Sequence, residues 1–416
     1  MSATPRAPLK PLNEALQQLL ASAQPLGTTE SVPTMQADGR VLAVDVVSAL
    51  HVPPQDNSAM DGYALRFEDA AADGAELPVS QRIPAGSTGT VLQPHTAARI
   101  FTGAPIPEGA DAVLMQEDCT VLREATATEP AVVRLNRMPL PGQNIRRAGE
   151  DVARGDVVLA RGQRLGPAEL GLAASIGLDR LDVVRRPRVA LFSTGDELVM
   201  PGEKAPQDMP PGAIYNSNRF FLHSLLRRLG CEVTDFGIVP DQRAATEAAL
   251  QQAAQAHDLI LTSGGVSVGE EDHIKPAVQA LGTLDLWQIA IKPGKPFAHG
   301  RVDSAHFIGL PGNPVSSFVT FLVLVRPFLL KLQGINEVAM KTIAARADFE
   351  WPKADKRQEF LRVRRNANGG LDLFPNQSSG VLTSAVWGYG LVNNPPNVSI
   401  AYGDTVQYAA FTELLA

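Results

Sequence analysis

The middle of this chain alternates strand-length apolar runs with helix-length segments, and this alternation constrains the fold more than any other feature. Between residues 185 and 333, the runs RVALF, DLILT and HFIGL are separated by stretches such as RFFLHSLLRRLG and ATEAALQQAAQAH. Strands that alternate with helices predict a doubly wound, mostly parallel sheet covered by helices on both faces. Ligands of such sheets bind beyond the carboxyl ends of the strands, so the loops after these strands are the first candidates for a site.

The segments on either side of this region have a different character. Residues 1–184 open with an amphipathic helix after Pro11 and continue, at about 51–145, as short β-branched runs separated by Gly and Pro. Residues 334–416 return to short strand-like pieces such as QEFLRVRR. We therefore expect an α/β multidomain protein. Its parts are a mixed, β-rich N-terminal region (1–184) of two subdomains, a central α/β domain (185–333) and a small C-terminal β domain (334–416).

Charge and cysteine content exclude several classes of protein. The formal net charge of −7 disfavours a broad basic surface, so no nucleic-acid partner is expected. The two cysteines, Cys119 and Cys231, are too few for a disulfide framework or for a multi-thiolate zinc or iron–sulfur site in one chain. They fit a reducing compartment, and we expect a cytoplasmic protein.

No segment has the pattern of a signal peptide or a membrane span. The N-terminus lacks an uninterrupted apolar core, and the most apolar stretch, residues 315–330, contains Arg326 and Pro327. This stretch also falls short of the ~20 apolar residues that cross a bilayer. It predicts a buried helix, and neither secretion nor membrane binding is expected.

The first candidate loop follows the strand RVALF and reads STGDEL. It brings small residues and two carboxylates to the end of a strand; the candidates are Ser193, Thr194, Gly195 and Glu197. A capped helix start explains the same pattern, because Ser or Thr followed by acidic residues satisfies the free N–H groups of a first turn. Both interpretations stay open at this point.

The second loop reads TSGGVSVGEEDHIK and follows the strand DLILT. Its glycines let the backbone approach a ligand closely, and successive N–H groups can form an anion-binding nest. It is not a Walker A loop, because the Gly-Lys-Ser/Thr sequence is missing. The candidate residues in this loop are Ser263, Gly264, Gly265, Ser267, Gly269 and Asp272.

The same loop contains the G-x-S-x-G pattern of a serine-hydrolase nucleophile, centred on Ser267. A hydrolase also needs an acid and a histidine further along the chain. Asp285 or Asp303 with His299 or His306 would have to supply them. A pattern of five residues is weak by itself, so the hydrolase is the second enzyme class to be weighed.

Two further loops carry positive charge and a helix start. IKPGKPF places Lys292 and Lys295 around a Pro-Gly turn that fixes where their ammonium groups point. A solvated turn is the alternative, but two rigid cations near acidic loops favour a bound anion. GLPGNPVSS follows HFIGL and predicts a helix N-terminus, where free N–H groups bind anions. The candidates in GLPGNPVSS are Pro311, Gly312, Asn313 and Pro314.

Further polar residues come from outside these loops. Asp61 lies in DNSAMDGYA, Thr102 in RIFTGAPIPEGADAV and Asp151 in IRRAGEDV, and Asp241 follows the segment GIVP. A turn explains each one alone. Together with the four loops, they indicate a site for a phosphorylated ligand and a hard cation such as Mg²⁺, which prefers oxygen ligands.

Taken in order, these motifs resemble those of the molybdopterin molybdenumtransferase family, which includes the gephyrin-type molybdenum-insertion domain. The resemblance runs over essentially the whole chain, from DNSAMDGYA through STGDEL, IYNSN and TSGGVSVGEEDHIK to GLPGNPVSS. The middle domain alone is also similar to molybdopterin adenylyltransferases, and the flanking regions favour the molybdenumtransferase. An adenylyltransferase-like activity and a non-catalytic cofactor-binding scaffold are the other readings.

The resemblance implies a transferase of molybdenum cofactor biosynthesis that inserts molybdate into the dithiolene of adenylyl-molybdopterin and releases AMP with the help of Mg²⁺. The pterin supplies the sulfur ligands, so a chain with two cysteines suffices. The resemblance also implies a homodimer, in which the C-terminal domain of one subunit faces the α/β site of the other. A molybdopterin adenylyltransferase is the candidate delivery partner.

By motif match, the resemblance assigns roles to individual positions. These positions are Glu197, Asp241 and Asp272 for the nucleotide and Mg²⁺; Asp61, Thr102 and Asp151 from the first half; Lys292, Pro311 and Pro314 for the pterin or molybdate pocket; and Arg362 and Ser379 for the oxyanion. One position departs from the pattern, because Gln288 stands where many relatives carry lysine. This departure puts a second basic contact in doubt.

Overall fold

The computed structural model describes residues 9–70, 72, 74–240, 242–265 and 274–415. The helices in these ranges are α1 (Leu12–Ser22), α2 (Pro167–Ser175), α3 (Asn218–Arg228), α4 (Arg243–Ala256), α5 (Ile274–Leu281), α6 (Pro314–Thr320), α7 (Arg326–Leu332), α8 (Thr383–Trp387) and α9 (Phe411–Leu414). Helix α1 begins directly after Pro11, as the sequence predicts. Its buried residues Leu12, Ala15 and Leu19 are spaced three and four apart and form one apolar face.

The N-terminal region is rich in short strands. They are β1 (Thr29–Pro33), β2 (Val46–Val47), β3 (Asn57–Ser58), β4 (Gly62–Leu65), β5 (Glu76–Ile83), β6 (Ala97–Ile100), β7 (Ala112–Met115), β8 (Cys119–Arg123), β9 (Val132–Leu135), β10 (Ile145–Arg146), β11 (Val157–Leu159) and β12 (Arg180–Val184). A six-stranded sheet has the order β7-β4-β6-β5-β9-β8. Outside it, β1 pairs with β12, β2 with β11 and β3 with β10.

The central region contains the sheet that the alternation predicts. Its strands are β13 (Arg188–Thr194), β14 (Leu198–Val199), β15 (Ile214–Tyr215), β16 (Glu232–Val239), β17 (Leu259–Ser263), β18 (Gly282–Gln288), β19 (Ile291–Lys292), β20 (Pro296–Val302) and β21 (Ala305–Leu310). The main sheet has the order β16-β13-β17-β21-β20-β18. Neighbours from β16 to β21 are parallel, and β20 and β18 are antiparallel additions. The expected mostly parallel, doubly wound architecture is confirmed.

Both faces of this sheet are buried, and strand β13 shows how. Val189 and Leu191 pack into a core shared with α1, α3 and the helix after β21, whereas Ala190 and Phe192 pack into a second core shared with α4 and α5. Successive side chains of a strand point to opposite faces, so a run that is apolar at every position fits a strand covered on both sides.

The apolar stretch after β21 is a core helix. Residues Pro314–Leu332 form one continuous helix, in which a π-helical segment, Phe321–Val325, joins α6 to α7. By length and composition alone this helix would be able to cross a membrane, but 83% of its most apolar window is buried inside the protein. The prediction of a buried helix is confirmed.

The C-terminal region is a second mixed sheet, and it includes one strand from the central region. Its own strands are β22 (Ile343–Arg346), β23 (Gln358–Arg365), β24 (Leu371–Leu373), β25 (Gly390–Asn394) and β26 (Thr405–Ala410). The order is β19-β23-β25-β26-β22, with β24 pairing to β23. Strand β19 lies parallel to β23, with Ile291 opposite Gln358 and Lys292 opposite Glu359. The backbone of the central region therefore forms the edge of the C-terminal sheet.

One local alternative is wrong. The STGDEL segment does not start a helix, because β13 ends at Thr194 and a turn leads straight into the short strand β14. Strand β14 pairs with β15, and the Ile214 N–H donates to the Glu197 carbonyl at 2.8 Å. The backbone groups of this segment are thus satisfied by a strand pair rather than by a helix cap.

Candidate active site

The loops predicted to carry the chemistry begin side by side at one edge of the central sheet. Strand β17 lies between β13 and β21, with Ser193 opposite Ser263 and Ser263 opposite Leu310. The three strands are parallel, so the segments that follow Thr194, Ser263 and Leu310 leave the sheet at the same carboxyl edge. This is the edge at which ligands of doubly wound sheets bind.

Glycines allow these segments to come close together. Gly264 has φ +94, and a Cβ atom there would lie 2.9 Å from the Thr194 carbonyl oxygen. The Gly264 N–H donates to the Leu310 carbonyl at 3.0 Å, and a Cβ on Gly312 would lie 4.0 Å from the Gly264 Cα. A left-handed φ and a backbone contact both require glycine at position 264. The backbone atoms of these segments can therefore contact one another and a ligand directly.

Several hydroxyl groups near this edge are buried without a hydrogen-bond partner among the described residues. They are the side chains of Ser193, Thr194, Thr262, Ser317 and Thr320. More than nine in ten buried polar groups in folded proteins find a partner, so a group of unsatisfied ones needs an explanation. A polar ligand or ordered water at the carboxyl edge supplies one.

An asparagine that sequence reasoning missed connects two of the loops. Asn218, the first residue of α3, donates from Nδ2 to the Ser263 hydroxyl at 2.8 Å and to the Gly312 carbonyl at 2.7 Å. Asn216 is 2% exposed, and its Oδ1 accepts from the Arg219 N–H at 3.2 Å. The available signal was the IYNSN motif, in which two amides directly precede a helix.

The carboxylate of Glu197 lies over Gly195. Gly195 has φ +135, and a Cβ atom there would overlap the Glu197 side chain. Glu197 itself is exposed, and none of the hydrogen bonds and ion pairs of the described residues engages its carboxylate. A free carboxylate therefore stands at the end of β13, as the STGDEL pattern predicts.

The Lys292 ammonium is held by acidic residues of the C-terminal region. Its Nζ lies 2.9 Å from Oε1 of Glu359 and 3.4 Å from Oδ2 of Asp355, and 5.6 Å from the centre of the Trp351 ring. The Lys295 side chain has no such partner among the described residues. Of the two predicted cations, only Lys295 therefore lacks an acidic partner among the described residues.

Arg362 is a buried guanidinium without a carboxylate partner in the described part of the chain. It is 1% exposed, and it donates to the Ser384 hydroxyl at 3.1 Å and to the carbonyls of Phe360 at 3.0 Å and Ser378 at 3.3 Å. Burial lowers the pKa of Arg362 to about 10. A guanidinium has five N–H donors, so part of its donor capacity and its charge remain available to an anion.

The loop that holds Arg362 also contacts the start of α6. Gln377 pairs with the backbone of Arg362 in both directions, at 2.9 and 3.0 Å. Two residues further on, the Ser379 carbonyl accepts from the Val315 N–H at 2.9 Å, directly after Pro314. The structure therefore brings Arg362, Ser379 and the loop from Pro311 to Pro314 together within one chain, so the C-terminal domain contacts the α/β site of its own subunit, a contact that the resemblance placed between two subunits.

The candidates of the first half form a separate group. The carboxylate of Asp61 accepts from the N–H of Thr102 at 2.8 Å and from its hydroxyl at 2.7 Å, and these bonds lower the pKa of Asp61. Phe101, next to Thr102, contacts the guanidinium groups of Arg82 and Arg99, each 4.6 Å from the ring centre. The loop that presents Asp61 and Thr102 is thus fixed by hydrogen bonds and cation–π stacking.

A third loop of the first half joins this group. Asp56 accepts from Arg147 at 2.6 Å and from the Ala148 N–H at 2.8 Å, contacts that lower its pKa. Asp151 follows in the same loop, where it is exposed. None of the hydrogen bonds and ion pairs of the described residues links this group to the candidates at the carboxyl edge of the central sheet.

Comparison with known proteins covers the whole chain. Residues 10–177 match the model for the MoeA N-terminal region (domain I and II), residues 190–331 a probable molybdopterin binding domain, and residues 344–411 the MoeA C-terminal region (domain IV). The chain is 40% identical over 414 residues to a molybdopterin molybdenumtransferase of Haemophilus influenzae, which covers 97% of this chain and 99% of the relative. The chain belongs to the molybdopterin molybdenumtransferase family.

Further relatives agree with this assignment. Molybdopterin molybdenumtransferase 2 of Mycobacterium tuberculosis is 42% identical over 320 residues, covering 74% of this chain and 76% of the relative. The crystal structure of the molybdopterin biosynthesis moeA protein of Pyrococcus horikoshii superposes with a TM-score of 0.84 at 29% identity, over 97% of this chain and all of that chain. Membership of the family and the multidomain fold are thus shown by sequence and by structure.

Some of the expected residues cannot be placed. Asp241, Ser267, Gly269 and Asp272 lie outside the described residues. Of the three carboxylates expected to hold Mg²⁺, only Glu197 is described, and no group of three metal-binding side chains occurs within the described ranges. The metal assignment therefore remains a proposal.

The geometry does not support the serine hydrolase. His306 lies opposite Leu259, four residues before Ser263, so it is ~13 Å from the carboxyl edge at ~3.3 Å per residue. The Nε2 of His299 is 3.2 Å from the Ser22 hydroxyl, and both histidines pack against Phe328. Burial lowers the pKa of both rings to about 4. These are core histidines rather than partners for a nucleophile in the loop after β17.

Proposed function

We propose that this protein is a molybdopterin molybdenumtransferase that inserts molybdate into the dithiolene of adenylyl-molybdopterin and releases AMP. The observation that carries the proposal is Arg362, a buried cation without a carboxylate partner among the described residues, beside the loop at the start of α6. A buried charge without a counter-ion is costly, so a bound oxyanion at this point stabilises both partners. The Haemophilus influenzae relative, which aligns with nearly the whole chain, is named a molybdopterin molybdenumtransferase.

The carboxyl edge of the central sheet supplies the binding groups for the pterin–nucleotide conjugate. Ser193 and Thr194 provide hydroxyls without a partner among the described residues, and the helix that begins at Pro314 directs the positive end of its dipole towards the same edge. Pro311 is buried and Asn313 is exposed at the start of α6, so the loop presents a rigid wall with one polar group. Lys295 is the cation available to a phosphate on this side, because the charge of Lys292 is balanced by Asp355 and Glu359.

We propose that Mg²⁺ assists the reaction. The donors present at the ends of β13 and β17 are carboxylate and hydroxyl oxygens, which are the ligands that Mg²⁺ prefers. Glu197 would hold the ion together with Asp241 and Asp272. When bound, the ion would neutralise charge on the phosphate groups of the conjugate.

We propose that the active protein is a homodimer whose site is shared between subunits. The Asp61 and Thr102 group and the Arg362 group have no bonds to one another among the described residues, and a second copy would be able to bring them together across the interface. An exposed apolar patch supports such a contact, because Val47 (52% exposed) lies opposite Val157 (55% exposed) on the pair β2–β11, with Val44 nearby in sequence. Patches of this kind often mark interfaces.

We further propose a cytoplasmic location and a molybdopterin adenylyltransferase as the delivery partner.

We also propose domain boundaries near residues 184 and 333. Strand β12 ends at Val184 before β13 begins, and α7 ends at Leu332 before β22 begins. The β insertion of the N-terminal region would span about 51–145. Limited proteolysis of the purified protein, followed by mass spectrometry of the fragments, tests these boundaries.

Reconstitution tests the function. Purified protein is mixed with adenylyl-molybdopterin and Mg²⁺, and AMP release is followed with and without molybdate. We expect AMP release coupled to molybdenum insertion, lost in Asp61→Ala and retained in Asp179→Ala, a matched exposed carboxylate in a turn before β12. Binding of the conjugate without molybdenum insertion would contradict the proposal and favour a scaffold.

A mixed-subunit experiment tests the shared site. Asp61→Ala and Arg362→Ala subunits are each expected to be inactive alone. Mixing them would create dimers in which one of the two sites is intact, so activity would return. Monomers in analytical ultracentrifugation, or no recovery in verified heterodimers, would contradict the shared site.

A further inference from the structure

The side chain of Asn218 links two glycine-containing loops of the candidate site. Its Nδ2 lies 2.8 Å from the Ser263 Oγ at the end of β17 and 2.7 Å from the Gly312 carbonyl in the loop after β21. An amide nitrogen has two hydrogens, so one goes to each loop and both donors are used. Both distances lie in the ordinary range for good hydrogen bonds.

These bonds fix the distance between Ser263 and Gly312, which the backbone hydrogen bonds alone do not set. The bond from the Gly264 N–H to the Leu310 carbonyl, at 3.0 Å, joins the strand ends, and Gly312 lies two residues beyond that point. Glycines at 264, 265 and 312 contribute no side chains that would pack the loops against one another. The Asn218 amide provides a link beyond the strand ends, so it sets how far apart the loops stand.

The direction of the bond to Ser263 also matters. The Ser263 oxygen accepts a hydrogen from Asn218, so its own hydrogen points elsewhere and can be donated to a ligand. Ser263 is 4% exposed, which leaves its hydroxyl few alternative partners. Asn218 therefore makes the Ser263 hydroxyl a donor towards the space between the loops.

The position of Asn218 is itself secured. Asn216 accepts from the Arg219 N–H at 3.2 Å, and its own N–H donates to the Val199 carbonyl at 3.0 Å. These bonds tie the start of α3 to β14. Nδ2 of Asn216 is buried without a partner among the described residues, so this segment retains a further donor.

We propose that Asn218 is a positioning residue for the binding of the pterin–nucleotide conjugate. It holds the end of β17 and the loop after β21 at a fixed separation and directs the Ser263 hydroxyl to a phosphate of the conjugate. The inference rests on the function proposed above, because it takes adenylyl-molybdopterin as the ligand.

The variant Asn218→Asp tests this role. It keeps the size of the side chain, but a carboxylate cannot donate to Gly312, and it accepts a hydrogen from Ser263 instead of giving one. We expect the Kd for adenylyl-molybdopterin, measured by equilibrium dialysis without molybdate, to rise about tenfold, as for the loss of a hydrogen bond to a charged group. Asn218→Ala is expected to weaken binding in the same direction.

The matched control is Ser217→Ala. Ser217 is the exposed neighbour of Asn218, and its side chain makes no capping hydrogen bond at α3. We expect its Kd to equal that of the unaltered protein. In turnover assays, Asn218→Asp should raise KM much more than it lowers kcat, since the residue acts on binding.

A double-mutant comparison shows whether Asn218 acts through Ser263. Asn218→Ala in a Ser263→Ala background is expected to have a much smaller effect on Kd than in the unaltered protein. Fully additive effects would overturn the inference. An Asn218→Asp protein that binds the conjugate normally, whether or not its Tm is lower, would also overturn it.

Failure of the two proposals can be told apart. If the unaltered protein binds the conjugate but never inserts molybdenum, the proposed function fails, and the dialysis series still decides the role of Asn218. If the unaltered protein turns over and Asn218→Asp matches it in Kd and KM, only the inference fails.

Discussion

The Lys292 ammonium lies 2.9 Å from Oε1 of Glu359, a carboxylate that is 1% exposed. The other oxygen of Glu359 accepts from the Trp351 Nε1 at 2.8 Å and from the Asn394 Nδ2 at 3.4 Å. A buried carboxylate is thus satisfied by three donors, and the cation that pairs with it among the described residues comes from the central region. The site at the sheet edge and the C-terminal sheet are therefore linked by charge as well as by backbone pairing.

Lys292→Met should destabilise the protein by leaving Glu359 buried without its cation. A fully buried pair loses about 3–5 kcal/mol when one partner is removed, and the partial exposure of Lys292 reduces this to about 1–3 kcal/mol. Urea unfolding measures the loss. Lys292→Met combined with Glu359→Gln should recover part of it, and an unchanged free energy of unfolding in the single variant would contradict the prediction.

Thr102→Val should change the pH dependence of turnover. The hydroxyl and the N–H of Thr102 both stabilise the ionised form of Asp61 and hold its pKa below the usual value. Without the hydroxyl, the pKa of Asp61 rises, so the acid limb of the pH–rate profile should move to higher pH. Thr128→Val, at an exposed position in the loop between β8 and β9, is the control and should leave the profile where it is.

Arg362→Lys should raise the molybdate concentration that the protein needs for activity, while the fold is retained. Lysine keeps a positive charge but cannot reproduce the planar fork that contacts Ser384, Phe360 and Ser378. We expect the molybdate concentration for half-maximal AMP release to rise about tenfold or more. Arg346→Lys, at an exposed arginine of β22 that pairs with Asp348, should show the same molybdate dependence as the unaltered protein. Equal molybdate dependence in both variants would rule out the assigned role.

Stability should fall in mild acid because of two core histidines. Burial lowers the pKa of His299 and His306 from 6.5 to about 4, with Asp285 opposing the shift at His299 and Arg301 adding to it at both. Folding therefore favours the neutral rings. Their contribution is fully present above about 6.5 and is lost as the pH falls towards about 4.

His306→Leu isolates this contribution. It removes one titrating ring beside Phe328 and also the Nδ1 that is buried without a partner among the described residues. Urea unfolding across the same pH range should show a shallower decline for the variant than for the unaltered protein. Parallel declines would mean that other groups cause the acid sensitivity.

Much of the fold follows from local pattern. The runs RVALF, DLILT and HFIGL became adjacent parallel strands, and the parallel order alone brings the following loops to one edge. The helix from Pro314 to Leu332 is equally predictable, because most of its residues are apolar and its mean hydropathy is 1.8. These features are set by residues close together in sequence, so sequence reasoning reaches them.

Other features depend on contacts between distant segments. Nothing near Lys292 in the sequence indicates that Asp355 and Glu359 hold it. Nor does the STGDEL segment indicate that it pairs with residues near Ile214 instead of starting a helix, which was one of its two interpretations. The bonds of Asn218 to Ser263 and Gly312 join positions 45 and 94 residues apart. Such pairings appear only when the chain is folded.

The insertion of β19 into the C-terminal sheet also determines how the two regions can separate. A single cut in the chain between α7 and β22 would not release the C-terminal part, because Ile291 and Lys292 would still be hydrogen-bonded along β23. Conversely, a movement of the C-terminal sheet relative to the central region would strain the turn at Pro293 and Gly294. Chain continuity and strand pairing are reinforced by an apolar core that the two regions share, in which Phe411 packs against Phe318, so the C-terminal part is expected to move with the central region as one body.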